Sequence, residues 1–163
     1  MSIVIHRTRS RTDFQRFFHL LIEYEAALPA VLRHGSVPDA ETLKKTYGGR
    51  NAAFIATAER SVVGCVAVTE LDAVTAVMMR LFVKLENRGM GAARTLVNTA
   101  IRFLRSHGYT RVVLDTDKER LNAAYQLYRS LGFEECEPYS VAEYPCPTFM
   151  ERRVDLSLAD DRI

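Results

Sequence analysis

The segment Leu85–Leu96 reads LENRGMGAARTL, and its residue types and spacing suit chemistry on an anion. An apolar run ends there and a helical pattern begins, with Arg88, Gly89, Met90 and Gly91 at the junction. The first turn of a helix leaves backbone N–H groups unpaired at the positive end of the helix dipole. Glycine costs a helix roughly 1 kcal/mol against alanine, yet it lets a bulky group reach the backbone without meeting a Cβ. Arginine adds a planar fork of donors that matches phosphate. The junction therefore reads as a diphosphate cradle. It is not a P-loop, because no Lys-Ser/Thr follows the glycines, and a dinucleotide fingerprint would need a third glycine where Arg94 stands.

The elements that must position this junction can be read from periodicity. Ser2–Arg7 alternates as a short strand. Thr12 and Gln15 have the spacing of a capping box, and Phe14, Phe17, Phe18, Leu21 and Tyr24 then recur at helical spacing until Pro29. Pro38–Tyr47 predicts a shorter helix ended by Gly48 and Gly49. NAAFIATAE, SVVGCVAVTE and AVMMRLFV are apolar runs parted by polar turns near Glu59-Arg60 and Leu71-Asp72, which predicts an antiparallel meander. After the junction, Ala93, Leu96, Val97, Ala100, Ile101 and Leu104 form one apolar helical stripe closed by Gly108. RVVLDT is a buried strand, a helix runs from about Glu119 to Leu131, and FEECEPY and TFMERRVDL supply two last strands. The expectation is an α/β sandwich of strands and helices in one domain over residues 1–163, with no linker or repeat to divide it.

Composition narrows the function classes. Hydrophobic residues make up 48% of the 163, as in a globular domain, and a net charge of +2 with charges evenly spread does not call for nucleic acid. Cys65, Cys136 and Cys146 are an odd number at no metal-ligand spacing, so no metal is expected and the thiols read as reduced. The first residues lack a signal-peptide core and no run of about 18 apolar residues exists, which predicts a cytoplasmic protein without a membrane partner. Nothing chooses between a monomer and a homodimer.

Two motifs together carry a resemblance. Arg88, Gly91 and Ala93 match Arg-x-x-Gly-x-Gly/Ala, and Ala124, Leu127, Tyr128, Gly132 and Phe133 match a later A-x-x-LY-x-x-x-GF. From about Val77 to Tyr139 the chain resembles the GNAT superfamily of N-acetyltransferases. The resemblance implies a single GNAT-like α/β domain with a mixed, mostly antiparallel, twisted sheet and helices on both faces. It implies acetyl-CoA as cosubstrate, its diphosphate on Arg88, Gly89, Met90, Gly91, Ala92 and Ala93. It implies that the pantetheine arm lies along the backbone of Leu81, Phe82 and Val83, and that Tyr128 protonates the departing thiolate. Tyr128 also fits a helical core stripe with Leu121, Ala124 and Leu131, a role compatible with catalysis if the hydroxyl reaches the sulfur. The partner implied is an amine-bearing small molecule or peptide.

Three departures stand beside it. Leu85 replaces a frequent proline, and Leu121 stands where relatives often carry asparagine, with Asn122 one residue later. The stretch Ala76–Arg80 has no carboxylate where a base can precede the Arg-Leu pair. Glu23, Glu25, His34, Glu70 and Asp72 are the remaining candidates. A lysine-like amine costs about 4–5 kcal/mol to deprotonate at pH 7 and an α-amino group only about 1 kcal/mol. A chain without a strong base therefore suits a weakly basic amine or deprotonation through ordered water. A catalytically silent acyl-CoA-binding or regulatory module is the alternative. Tyr139, before a stiff Glu143–Pro147 loop, and Tyr144 within it are candidates to line the acceptor pocket, as the resemblance implies for that region.

Overall fold

Residues 2–154 are described by the structure, a computed structural model. The elements run β1 (Ile3–Arg7), α1 (Arg11–Ala27), α2 (Ala40–Thr46), β2 (Ala52–Ala58), β3 (Ser61–Glu70), β4 (Thr75–Val83), α3 (Ala92–Ser106), β5 (Arg111–Thr116), α4 (Asn122–Ser130), β6 (Glu134–Glu135) and β7 (Thr148–Arg153). The strands form one seven-stranded sheet in the order β1-β2-β3-β4-β5-β7-β6. Every neighbouring pair is antiparallel except β4 and β5. The sheet is mixed and mostly antiparallel, as the sequence predicts.

Alternation along the strands supplies two cores. On one face Phe14, Phe17, Leu20 and Leu21 of α1 and Leu43 of α2 pack with Ile55, Cys65, Ala67 and Phe82. On the other, Leu96, Val97, Ala100, Ile101 and Leu104 of α3, with Tyr128 of α4, cover Val66, Val68, Met78, Val112 and Leu114. Helices thus lie on both faces. Glu59 and Arg60, at φ 50° and 70°, make the tight turn between β2 and β3, a hairpin whose two positive-φ positions match the strand twist.

Three local expectations are corrected. The capping box of α1 is Ser10 with Asp13: the Ser10 hydroxyl accepts from Asp13 N–H at 3.0 Å, and the Asp13 carboxylate from Ser10 N–H at 3.2 Å. Thr12 and Gln15 share the spacing, but a carboxylate at the positive end of the dipole is the stronger partner. Helix α4 starts at Asn122 rather than Glu119, because the Asp117 carboxylate draws Glu119 and Arg120 N–H groups into a turn at 3.1 and 2.9 Å. FEECEPY contributes only Glu134–Glu135, and β7 ends at Arg153. Asp155 and Leu156, expected in that last strand, lie outside the described residues.

Candidate active site

Strands β4 and β5 begin side by side and then part. Thr75, Ala76 and Val77 pair with Arg111, Val112 and Val113, and there the ladder stops. Beyond it β4 pairs only with β3, while Leu114, Asp115 and Thr116 pair only with β7. A wedge-shaped gap opens in the middle of the sheet, edged by main-chain groups with no strand partner. Leu81, Phe82 and Val83 lie along its β4 edge.

Two features of β4 build the gap. Cys65 faces Phe82 and Ala67 faces Met79, so β4 carries one residue more than β3 over this span. That bulge bends the strand. Its extra residue is Arg80, at φ 58°. Behind it stands Gly64, where an added Cβ would lie 2.6 Å from the Phe82 carbonyl oxygen. Glycine is needed there because the β4 backbone comes so close.

At the wide end, Arg88–Ala93 carry the chain into α3. Gly89 and Gly91 have φ 81° and 82°, and a Cβ on either would meet nothing within 4 Å. Gly91 caps α3 with no side-chain acceptor, so the first-turn N–H groups face an open, unobstructed entrance. Arg88 Nε donates to the Val83 carbonyl at 3.0 Å, which ties the cradle to the end of β4. The exposed Arg88 side chain is therefore partly committed to holding the turn. Nearby Arg94 donates to Ser130 at 2.9 Å, linking α3 to α4.

Tyr128 is buried, its ring edge-on to Phe133 at 5.7 Å. Burial, and then the nearby Tyr24 and Asp115, push its phenol well above the ordinary range. It stays protonated at any working pH. Asn122 turns away from this region: its amide donates back to the Lys118 carbonyl at 3.2 Å.

The wall opposite Tyr128 comes from α1 and two loops. Tyr24 packs against Phe82 at 5.9 Å and stacks on His34 at 6.0 Å. His34 Nδ1 lies 2.7 Å from Glu25 Oε1, and the His34 N–H donates to Oε2 at 2.9 Å. Against a carboxylate the Nδ1 carries a ring proton, and in the neutral tautomer Nε2 is then the acceptor on a half-exposed imidazole. Tyr139 and Tyr144 both donate to Asp115, at 3.0 and 2.7 Å, and so close the wall from the loop before β7. Burial, and then Asp115 through its charge and its hydrogen bonds, raise both phenols. In the sequence Asp115 is only part of the strand RVVLDT; the two tyrosines that meet it stand more than 20 positions away.

The other candidate bases are occupied elsewhere. Glu70 pairs with Arg50 at 3.1 Å, Asp72 accepts from Val74 and Thr75 N–H in the β3–β4 turn, and Glu23 pairs with Lys84 at 3.6 Å. Glu70 and Asp72 stand at the closed end of the gap. Among the described residues no group of His, Cys, Asp and Glu could hold a metal, and no helix is long and apolar enough to cross a membrane.

The sequence profile of the Acetyltransferase (GNAT) family matches residues 15–133, from α1 through the cradle to Phe133. The chain belongs to that family. N-acetyltransferase 8 of Homo sapiens is 37% identical over 103 residues, covering 59% of this chain and 45% of its own. The chain spans less than half the length of the human relatives it matches. An uncharacterised N-acetyltransferase of Schizosaccharomyces pombe is 30% identical over 161 residues, covering 96% of each chain. The structure of yncA from Salmonella typhimurium, solved with its cofactor acetyl-CoA, superposes with a TM-score of 0.77 over the full length of both chains. At 18% identity that likeness shows the GNAT fold.

Proposed function

We propose that this GNAT protein transfers an acetyl group from acetyl-CoA directly to the amine of a small molecule or peptide. The gap between β4 and β5 carries the reading, because it leads from the open entrance of α3 past a free strand edge to Tyr128. The residues fit the cosubstrate at each point. The N–H groups around Gly89, Met90, Gly91, Ala92 and Ala93, with Arg88, take the diphosphate. The main chain of Leu81, Phe82 and Val83 takes the amides of the pantetheine arm as an added strand would. The acetyl thioester then lies between Tyr128 and the wall formed by Tyr24, His34 and Asp115.

In the reaction the acceptor nitrogen bonds to the thioester carbonyl carbon and the carbon–sulfur bond breaks. Main-chain donors on β4 hold the oxyanion. The Tyr128 hydroxyl donates to the departing sulfur. His34, oriented by Glu25, takes the proton that the amine loses, directly or through water. The Glu25–His34 pair, from α1 and the loop after it, supplies what Ala76–Arg80 lacks.

Thiol release with acetyl-CoA and a panel of amines tests the reading, with calorimetric titration of acetyl-CoA alongside. Binding and amine-dependent release are expected. Binding without release from any amine favours the silent module, and no binding overturns both.

A further inference from the structure

A lone charge stands in the apolar run MMRLFV, and its surroundings leave it without a partner. Nε and Nη1 of Arg80 are buried and hydrogen-bond to nothing. No carboxylate among the described residues lies within ion-pair distance. Its immediate titratable neighbours are Tyr24 and Cys65, both pushed by burial up to about 12 and hence neutral. The Cys65 thiol is spent on the Arg80 carbonyl, at 3.4 Å. A guanidinium keeps its charge at every accessible pH, so a buried one needs an anion. The fold also holds Arg80 as the extra residue of the β4 bulge, at positive φ. Such a conformation in a non-glycine residue persists where the surroundings impose it, often at a functional site.

Accepting the acetyltransferase reading on which this rests, we propose that Arg80 binds a carboxylate of the acceptor, so that the substrate is a carboxylate-bearing amine such as a free amino acid. Position supports this. Arg80 directly precedes the Leu81–Val83 edge, on the side away from the cradle. The anion it awaits is therefore not the diphosphate, which has its own donors at the entrance of α3. Charge selects the class of anion. One guanidinium matches a single carboxylate. A phosphate dianion would also face Glu25 and Asp115, whose charges reach the same Tyr24 hydroxyl as that of Arg80. Those carboxylates instead suit the incoming ammonium, so the site is polarised for a zwitterion.

The contact also helps the chemistry. A carboxylate beside an ammonium holds its proton on, and pairing with Arg80 cancels that hold. The acceptor amine then gives up its proton to the Glu25–His34 pair more easily.

The test is thiol release with acetyl-CoA for the standard amino acids, each beside its own carboxamide. The wild-type protein is expected to favour the acids in kcat/KM by about 10- to 100-fold over the amides of the preferred side chain. In Arg80→Gln that ratio is expected to collapse toward one, and Arg80→Lys to restore part of it, with the KM for acetyl-CoA staying near the wild-type value. The wild-type ratio requires no variant to fold. Amides used as well as acids, or a ratio unchanged in Arg80→Gln, would overturn the assignment. Release with amines that lack a carboxylate, and none with amino acids, would overturn it while leaving acetyl transfer standing. Acetyl-CoA binding without release from any amine would overturn both.

Discussion

Tyr128 illustrates how environment sets a role at the residue scale. A thiol of the cysteine kind ionises near ~8.5 and an ordinary phenol near ~10. Full transfer of the Tyr128 proton to a thiolate is uphill by at least about 2 kcal/mol. Its burial raises the phenol further and widens that gap. Tyr128 thus serves as a fixed hydrogen-bond donor to developing negative charge on sulfur more than as a complete acid. Tyr128→Phe is expected to lower kcat by about 10- to 100-fold, the worth of one hydrogen bond to a charged group. Steady-state kinetics with acetyl-CoA should show its KM little changed, and an unaltered kcat would remove Tyr128 from the reaction. His34 gives a contrasting expectation. His34→Gln removes the acceptor Nε2, and kcat/KM at neutral pH should fall by about 10²-fold or more. The loss should narrow as pH rises, because the amine then arrives deprotonated. A deficit independent of pH would point to a positional role for His34.

At the element scale, two glycines do opposite work on the same gap. At Gly64 the limit is space: a Cβ would press on the Phe82 carbonyl at 2.6 Å, with Val83 and Leu96 side chains at 3.2 and 3.3 Å. At Gly91 space is open and the limit is the positive φ. Gly64→Ala must push β4 away from β3, and overpacking of this kind costs about 1–3 kcal/mol. A thermal melt should show it as a loss of roughly 2–4 °C for each kcal/mol. Acetyl-CoA affinity should fall as well, because the displaced segment includes the Leu81–Val83 edge. Unchanged affinity in a destabilised Gly64→Ala protein would separate that edge from cosubstrate binding. What the sequence shows of these elements follows from the range of each interaction. The stripe of α3 and the Glu59-Arg60 hairpin are local, and periodicity or turn chemistry exposes them. The cradle is visible because its glycines and arginine are contiguous. The Ser10–Asp13 cap competes with Thr12 and Gln15 at identical spacing, and only the backbone decides between them. The β4 bulge is hidden, since one added residue in MMRLFV leaves no mark until the register with β3 is known. Arg80, Asp115 and the Glu25–His34 pair are legible as residue types, but not as neighbours of one gap.

For the whole molecule, a sheet parted in its middle is held by a separate core on each face, and burial keeps the Tyr24 and Tyr128 phenols and the Cys65 thiol beside the opening in their neutral forms. Tyr24, between the α1 core and the gap, has its phenol raised by burial to about 12. In the unfolded chain the same phenol ionises near ~10. Below pH ~10 both states hold the proton and the group adds no pH dependence. Between about 10 and 12 the unfolded chain releases it and the folded protein keeps it, so ionisation stabilises only the unfolded state. Stability must fall across that window, by up to about 1.4 kcal/mol per pH unit for this one group. Cys65, also raised to about 12 by burial, acts in the same direction. Denaturant unfolding followed from neutral pH upward should therefore show a plateau that turns down in the alkaline range. Tyr24→Phe deletes the titrating hydroxyl while keeping the ring against Phe82 and His34. Its alkaline slope should be shallower than that of the wild type above pH ~10, with the two curves running parallel below. Equal slopes in the two proteins would show that the Tyr24 hydroxyl is solvated in the folded state, and with it the wall of the gap that this ring forms.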